Sequence, residues 1–140
     1  ADDMKKLKTL VSQLSLENLI KFINPIYDLK NKIKAIQEAD IFILPSKREA
    51  MPQSLIEAMS LGKIAISSNT QGGKEIIENG KTGFLFDIGN EKDLASIIEF
   101  CLNSKNILLL KRIQKNSRRK AKEFNWNNLI NKLENMLKTK

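Results

Sequence analysis

Two glutamates, Glu49 and Glu57, are the residues of this chain whose type and spacing could do chemistry. Glu49 lies in a polar loop, and Glu57 lies about one turn into a helix predicted over residues 53–61. At about 100° per residue, Glu57 falls nearly opposite the apolar side of that helix, so both carboxylates can border one cleft. Carboxylates accept hydrogen bonds from sugar and ribose hydroxyls. Acidic residues also suit helix starts and solvent-facing positions in general, so the spacing alone leaves a purely structural role open.

The start of the same helix is predicted to bind phosphate. It follows a predicted strand, and ligands of open parallel sheets bind outside the carboxyl ends of strands. Pro52 suits the first helical position because its missing N–H would have no partner there. The amides of Gln53 and Ser54 would then point freely at an anion, at the positive end of the helix dipole.

Composition excludes several kinds of chemistry. The chain has no histidine, which rules out Ser-His-Asp and Cys-His nucleophiles and most zinc sites within it. Its one cysteine, Cys101, cannot form an internal disulfide and is typical of a reducing cytoplasm. The spacing of Cys101 from Leu94, Ile97 and Ile98 predicts that it packs in the core side of a helix.

Alternating strands and helices must position these groups. Strands are predicted over residues 18–23, 41–44, 64–67 and 84–86, and helices over 4–14, 30–38, 53–61, the segment after Asn90, 107–121 and a last segment holding Trp126, Leu129, Ile130 and Leu133. Asn90 is predicted to cap its helix, with Asp93 returning the bond. Gly72-Gly73 opens a loop or a helix of one or two turns through Ile77. Apolar strands separated by helices predict an α/β fold, with a parallel sheet covered on both faces.

The length of 140 residues suits a single domain. The chain begins at Ala1, without an initiator methionine, and enters a helical pattern at once, so we expect it to be a piece of a longer protein. No apolar run approaches the roughly 18 to 20 residues that a membrane-spanning helix needs.

A series of motifs runs in order from about residue 18 to residue 130. They are Ala39-Asp-Ile-Phe-Ile-Leu-Pro-Ser46, Glu49-x-x-Pro-x-x-x-x-Glu57-Ala-Met-x-x-Gly62-Lys, Gly72-Gly73, Glu75-Ile-Ile, Asn79-Gly-Lys-Thr-Gly-Phe-Leu-Phe86, residues 90–98 and Phe124-Asn-Trp126. Together they resemble the family-4 retaining glycosyltransferases of the GT-B fold. The resemblance implies a Rossmann-like donor-binding domain over residues 1–140, with 107–140 as its C-terminal helices and the N-terminal acceptor domain absent.

The resemblance also implies roles for individual residues. Glu49 would contact the donor sugar near the reacting carbon, and Glu57 would accept hydrogen bonds from the ribose. The donor sugar and diphosphate would be held by Ser46, Ala50, Met51, Pro52, Gln53 and Ser54. The base would lie against Asn24, Pro25 and Ile26, and Gly72 and Gly73 would form a further loop at the site.

The implied reaction transfers a hexose from a UDP- or GDP-sugar to a glycan or lipid-linked acceptor, with retention of configuration. No metal and no cofactor is expected. A nucleotide-sugar epimerase related to the GT-B fold is the alternative enzyme, and the missing histidine disfavours it.

Three departures from the family pattern stand out. Ala50 replaces the usual glycine, which would cost energy if the backbone there were left-handed. Lys74 is a single residue between Gly73 and Glu75 where two are common. The family's basic pair for the diphosphate would lie upstream of Ala1; Lys47 and Arg48 could assist, or could simply be solvated.

Basic residues crowd into the C-terminal region. They are Lys111, Arg112, Lys115, Arg118, Arg119, Lys120 and Lys122. This stretch is either a solvated helix or a surface for phosphate groups. Nucleic acid is disfavoured because no aromatic residues are interleaved with the cations. We therefore expect a cytoplasmic protein, with peripheral contact at the inner face of the membrane as the open alternative.

Overall fold

Three parallel strands form the centre of the fold, in the order β1-β2-β3. They are β1 (Ile41–Leu44), β2 (Ile64–Ser68) and β3 (Phe84–Phe86). Ile41 pairs with Ile64, and Ile66 pairs with Phe84, so all three strands end at one edge of the sheet. The computed structural model of the chain describes residues 2–124 and 127–138, so Trp126 lies outside the described residues.

Helices connect the strands and cover the sheet. They are α1 (Asp2–Gln13), α2 (Leu29–Glu38), α3 (Gln53–Ser60), α4 (Gln71–Ile76), α5 (Glu91–Leu102), α6 (Ile107–Glu123) and α7 (Asn127–Lys138), with a 3-10 turn (Ser104–Asn106) before α6. Each predicted helix is present, with bounds shifted by a few residues. Residues 71–76 take the helical one of the two conformations expected after Thr70.

The core lies on both faces of the sheet, as predicted. Successive strand residues point to opposite faces, so Ala65 joins one cluster and its neighbours Ile64 and Ile66 join the other. On the first face the sheet packs against α3, α4 and the end of α6; on the second it packs against α5 and the start of α6. The fold class is therefore α/β, with a parallel sheet between two helical layers.

Residues 18–23 are not a strand, and that prediction is wrong. The amides of Leu19 and Ile20 donate to the Leu16 carbonyl, at 2.9 and 3.1 Å, in a local turn. Leu19 is 80% exposed. A short apolar run forms a strand only where a neighbouring strand supplies hydrogen bonds. Residues 18–23 do not pair with β1, which stays an edge strand of the described sheet and has half-buried residues only.

The N-cap of α5 forms one of its two predicted hydrogen bonds. The Asn90 side chain accepts a hydrogen bond from the Asp93 amide at 3.0 Å. The Asp93 carboxylate does not return it; it accepts from the Asp87 amide at 3.1 Å, while the Asn90 amide donates to the Asp87 carbonyl. The reciprocal bond is made by glutamate or glutamine, whose longer side chains reach back to the cap residue.

Cys101 packs beside α5 core residues, as its spacing predicts. Burial raises the pKa of its thiol above the usual value, because desolvation disfavours the thiolate. Among the described residues, no helix is both long and apolar enough to cross a membrane.

Candidate functional site

An open groove lies at the carboxyl edge of the sheet, where the loops after β1, β2 and β3 meet. Its volume is about 510 Å³. Its lining consists of Lys47, Arg48, Glu49, Ala50, Asn69, Thr70, Gln71 and Ile88. This is the edge at which parallel sheets bind ligands, and the sequence predicts that the loop holding Glu49 lies there.

Glu49 is held in place in the groove wall by two hydrogen bonds. Its Oε1 accepts from the Ser46 hydroxyl at 2.9 Å, and its backbone carbonyl accepts from the Gly72 amide at 2.8 Å. The side chain is only partly buried, so the carboxylate remains open to a ligand. Ser46 thus orients the carboxylate, whereas the sequence suggested only that it contacts the donor.

Gly72 lets α4 approach the loop after β1, and Gly73 lets it approach the end of β2. A Cβ at Gly72 would lie 2.6 Å from the Ala50 carbonyl oxygen, and one at Gly73 would lie 2.5 Å from the Ser68 carbonyl oxygen. Both contacts are with backbone, which cannot move aside cheaply. Glycine is required here by close packing, since neither residue has a positive φ.

The two sequence departures in this region are accommodated without strain. Ala50 does not have a positive φ; within the described ranges, Ser15 is the one non-glycine residue that does. The single residue between Gly73 and Glu75 lies inside α4, where Lys74 and Glu75 are exposed. Thr70 caps this helix by accepting a hydrogen bond from the Gly73 amide at 3.1 Å.

The start of α3 resembles the predicted anion site, with one difference at Pro52. Pro52 is the N-cap residue of α3, whereas the sequence predicted it at the first helical position. Its carbonyl accepts hydrogen bonds from the Leu55 and Ile56 amides. As a proline, this cap residue makes no side-chain hydrogen bond to the helix. The amides of Gln53 and Ser54 belong to the first turn, where the helix offers no carbonyl to accept from its backbone N–H groups.

Glu57 is buried, although its place on the helix opposite the apolar side predicted that it lies away from the core. It is 4% exposed, and its Oε2 lies 2.9 Å from Lys32 Nζ on α2. The sequence of α3 predicts a single buried side, but five consecutive residues from Leu55 to Met59 are buried. The groove that Glu49 lines does not include Glu57, so the two carboxylates do not share that cleft.

The Lys32–Glu57 contact is an ion pair without a hydrogen bond. The two charged atoms are close, but Oε2 has no hydrogen-bond donor among the described residues. The ammonium at this distance compensates the charge of the buried oxygen, although the contact does not have hydrogen-bond geometry.

The predicted base-binding residues lie apart from regular structure. Asn24, Pro25 and Ile26 are in the irregular segment between α1 and α2, with Asn24 and Pro25 exposed and Ile26 half-buried. The strand that was expected to end there is absent, as described above.

Sequence reasoning missed the contribution of the second and third strands. Asn69 follows β2, and its side chain donates to Asp87 Oδ1 at 2.8 Å and accepts from the Ile88 amide at 3.1 Å, which joins the two loops. The signal was available: residues directly after predicted parallel strands share one edge of the sheet. In the part of the chain that the structure describes, no three acidic or cysteine residues cluster as a metal site would require.

Comparison with known proteins gives consistent matches. Residues 1–120 match the family described as Glycosyl transferases group 1. A putative colanic acid biosynthesis glycosyltransferase, WcaL, of Salmonella typhimurium is 29% identical over 142 residues, which cover 96% of this chain and 34% of that protein.

Two further matches carry more specific names. The N,N'-diacetylbacillosaminyl-diphospho-undecaprenol alpha-1,3-N-acetylgalactosaminyltransferase of Campylobacter jejuni is 33% identical over 95 residues, covering 68% of this chain and 25% of that protein. The crystal structure of Anabaena Alr3699/HepE in complex with UDP and glucose superposes with a TM-score of 0.82 at 25% identity, covering 99% of this chain and 37% of that one. The chain thus spans about a quarter to a third of the length of the curated relatives it matches.

Proposed function

The chain belongs to the glycosyl transferase group 1 family, and we propose that it is the nucleotide-sugar-binding part of a retaining hexosyltransferase. The groove at the carboxyl edge of the sheet, with Glu49 in its wall, is the observation that carries this proposal. The complete protein transfers a hexose from a UDP- or GDP-sugar to a glycan or lipid-linked acceptor. It does so with its N-terminal domain, without a metal or cofactor, in the cytoplasm.

The donor sugar lies in the groove, against Glu49. The Ser46 hydroxyl already occupies one oxygen of that carboxylate, so the other is available for a sugar hydroxyl or for charge that develops at the reacting carbon. The diphosphate lies toward the start of α3, against the amides of Ala50, Met51, Gln53 and Ser54. Lys47 and Arg48 line the same groove and add positive charge.

The ribose is bound by Glu57. Its buried Oε2 lacks a hydrogen-bond donor, and a ribose hydroxyl supplies one. Lys32 holds the carboxylate in place through a contact that does not have hydrogen-bond geometry. The base lies against Asn24, Pro25 and Ile26.

The acceptor is a growing glycan or a lipid-linked sugar. Support comes from the relatives: the Campylobacter protein is named for a diphospho-undecaprenol acceptor, and the Salmonella protein for colanic acid biosynthesis. A UDP-linked donor is supported by the Anabaena protein, which was crystallised with UDP and glucose.

Titration of the chain with UDP, GDP and their sugars by NMR tests the donor site. We expect chemical-shift changes for residues 46–57 and for Asn69, Thr70 and Ile88, with weak affinity. Absence of changes in both groups at millimolar ligand would refute the proposal. An epimerase is distinguished by assay of the full-length enzyme, which should transfer the sugar and not invert a ring carbon.

A further inference from the structure

The net positive charge of the chain comes from one segment. Between Phe100 and Lys122 there are eight lysines and arginines and no aspartate or glutamate. The whole chain has 24 cations and 16 carboxylates, so the rest of the chain has 16 of each and is formally neutral. The charge of +8 is therefore a property of the end of α5, the 3-10 turn and α6.

Most of these cations lie on the outward side of α6. The helix buries Leu110, Ile113, Ser117 and Ala121 along one side. At about 100° per residue, the opposite side holds Leu108, Lys111, Arg112, Lys115, Arg119 and Lys122, all of which are exposed. Lys120 is separate, because it pairs with Glu78 and Glu123. No other cation of α6 is in an ion pair with a described residue.

Exposed aliphatic side chains lie beside these cations. Leu102 is 70% exposed, Ile107 is 53% exposed and Leu108 is 79% exposed, and they follow one another where α5 turns into α6. We name the surface formed by these three residues with Lys105, Lys111, Arg112 and Lys115 the α5–α6 corner. At this corner both the large aliphatic side chains and the cations are exposed.

We propose that the α5–α6 corner docks onto an anionic lipid bilayer. Lysine and arginine bind the phosphates of anionic headgroups, and adjacent aliphatic side chains enter the boundary between headgroups and acyl chains. Nucleic acid suits the corner less well, because its exposed apolar groups are aliphatic and cannot stack on bases as aromatic rings do. Phe100, the nearest aromatic residue in the sequence, packs edge-on against Phe84.

The position of the corner leaves the donor groove free. α5 begins just after the carboxyl end of β3 and runs back along the sheet, so Leu102 lies toward the opposite edge. α6 continues along that edge, where Asn116 donates to the Lys81 carbonyl in the turn before β3. A bilayer bound at the corner does not cover the loops after the strands.

Co-sedimentation with vesicles tests this inference independently of sugar binding. We expect the chain to bind vesicles of phosphatidylcholine with phosphatidylglycerol, but not vesicles of phosphatidylcholine alone, and to dissociate as salt is raised. The triple variant Lys111→Gln, Arg112→Gln, Lys115→Gln should lower binding by on the order of 100-fold, at about 1 kcal/mol per cation near the surface. Leu108→Ser should lower it by roughly tenfold, through loss of apolar insertion.

Matched controls separate the corner from net charge and from general hydrophobicity. The variant Lys5→Gln, Lys6→Gln, Lys92→Gln removes the same charge elsewhere, and Leu19→Ser removes an equally exposed leucine. Both should bind like the unchanged chain. The proposal fails if anionic vesicles are not bound at low salt, or if the controls lose as much binding as the corner variants. It also fails if oligonucleotides bind more tightly than vesicles and Leu108→Ser leaves that binding unchanged.

Discussion

Lys32 Nζ lies 2.9 Å from Glu57 Oε2, and this contact joins α2 to the buried side of α3. Glu57 is almost fully buried, whereas Lys32 is 35% exposed. The pair is therefore asymmetric. If the contact is lost, water can hydrate the lysine ammonium, but it cannot easily reach the glutamate carboxylate. The energetic consequence of breaking the pair falls on Glu57.

Lys32→Met should destabilise the fold. Removing one partner of a buried pair leaves an uncompensated charge, which costs about 3–5 kcal/mol when both groups are buried and less here because Lys32 is partly solvated. We expect a decrease of about 1–3 kcal/mol in the free energy of unfolding, measured in urea. Lys34→Met, exposed on the same helix, should change it by less than about 0.5 kcal/mol. Equal effects would show that the pair contributes nothing.

Gly72→Ala should disturb the groove. The added Cβ would meet the Ala50 carbonyl oxygen at 2.6 Å, so α4 or the loop before α3 must shift. Overpacking of this kind typically costs about 1–3 kcal/mol, and it should also shift the NMR signals of Glu49 and Ala50. The matched control is Lys74→Ala, at an exposed position of the same helix. A Gly72→Ala variant as stable as that control would mean that the close approach is not required.

Glu49→Gln and Glu57→Gln should separate turnover from donor affinity in the full-length enzyme. The proposed roles predict that Glu49→Gln lowers kcat, because charge at the reacting carbon is no longer stabilised, and that Glu57→Gln raises the apparent KM for the donor. Exposed Glu38→Gln should change neither. A loss of kcat at Glu57 with full kcat at Glu49 would reverse the assignment.

Ser46→Ala should act through Glu49. Its hydroxyl donates to the Glu49 carboxylate at 2.9 Å, so the variant frees that side chain without removing its charge. We expect a fall in kcat smaller than that of Glu49→Gln, and Ser46→Thr should restore part of it because it retains the hydroxyl. If Ser46→Ala still lowered kcat in a Glu49→Gln background by the same factor, Ser46 would act independently of Glu49.

Cys101 should react slowly with iodoacetamide in the folded chain. Desolvation raises the pKa of its thiol above 9.0, so less thiolate is present below that pH than in the unfolded chain. Because the pKa is raised in the folded state, the contribution of the neutral Cys101 thiol to stability is complete below pH 9.0. It is lost as the pH rises through the folded-state pKa. Alkylation monitored by mass spectrometry, with the chain in urea as the control, measures the ratio. Equal rates would contradict the burial.

Local patterns were sufficient for most of the secondary structure. The helices and strands β1, β2 and β3 follow from spacing and from punctuation by proline and glycine, because these depend on residues close in sequence. The exception is residues 18–23, whose apolar pattern matches a strand but whose amides bond to Leu16 instead. A strand depends on a neighbour that local sequence does not specify.

The position of Glu49 was determined by the sequence itself, since an apolar strand followed by a loop and Pro52 places it at the carboxyl edge of a parallel sheet. The surroundings of Glu57 were decided only by tertiary structure. The sequence of α3 shows one apolar side, but it cannot show that Lys32 of α2 comes to the Glu57 carboxylate or that α3 packs against α6. The closeness of Gly72 to Ala50 is likewise a matter of how α4 packs, because a glycine needed for close approach has the same local sequence as one needed for a turn.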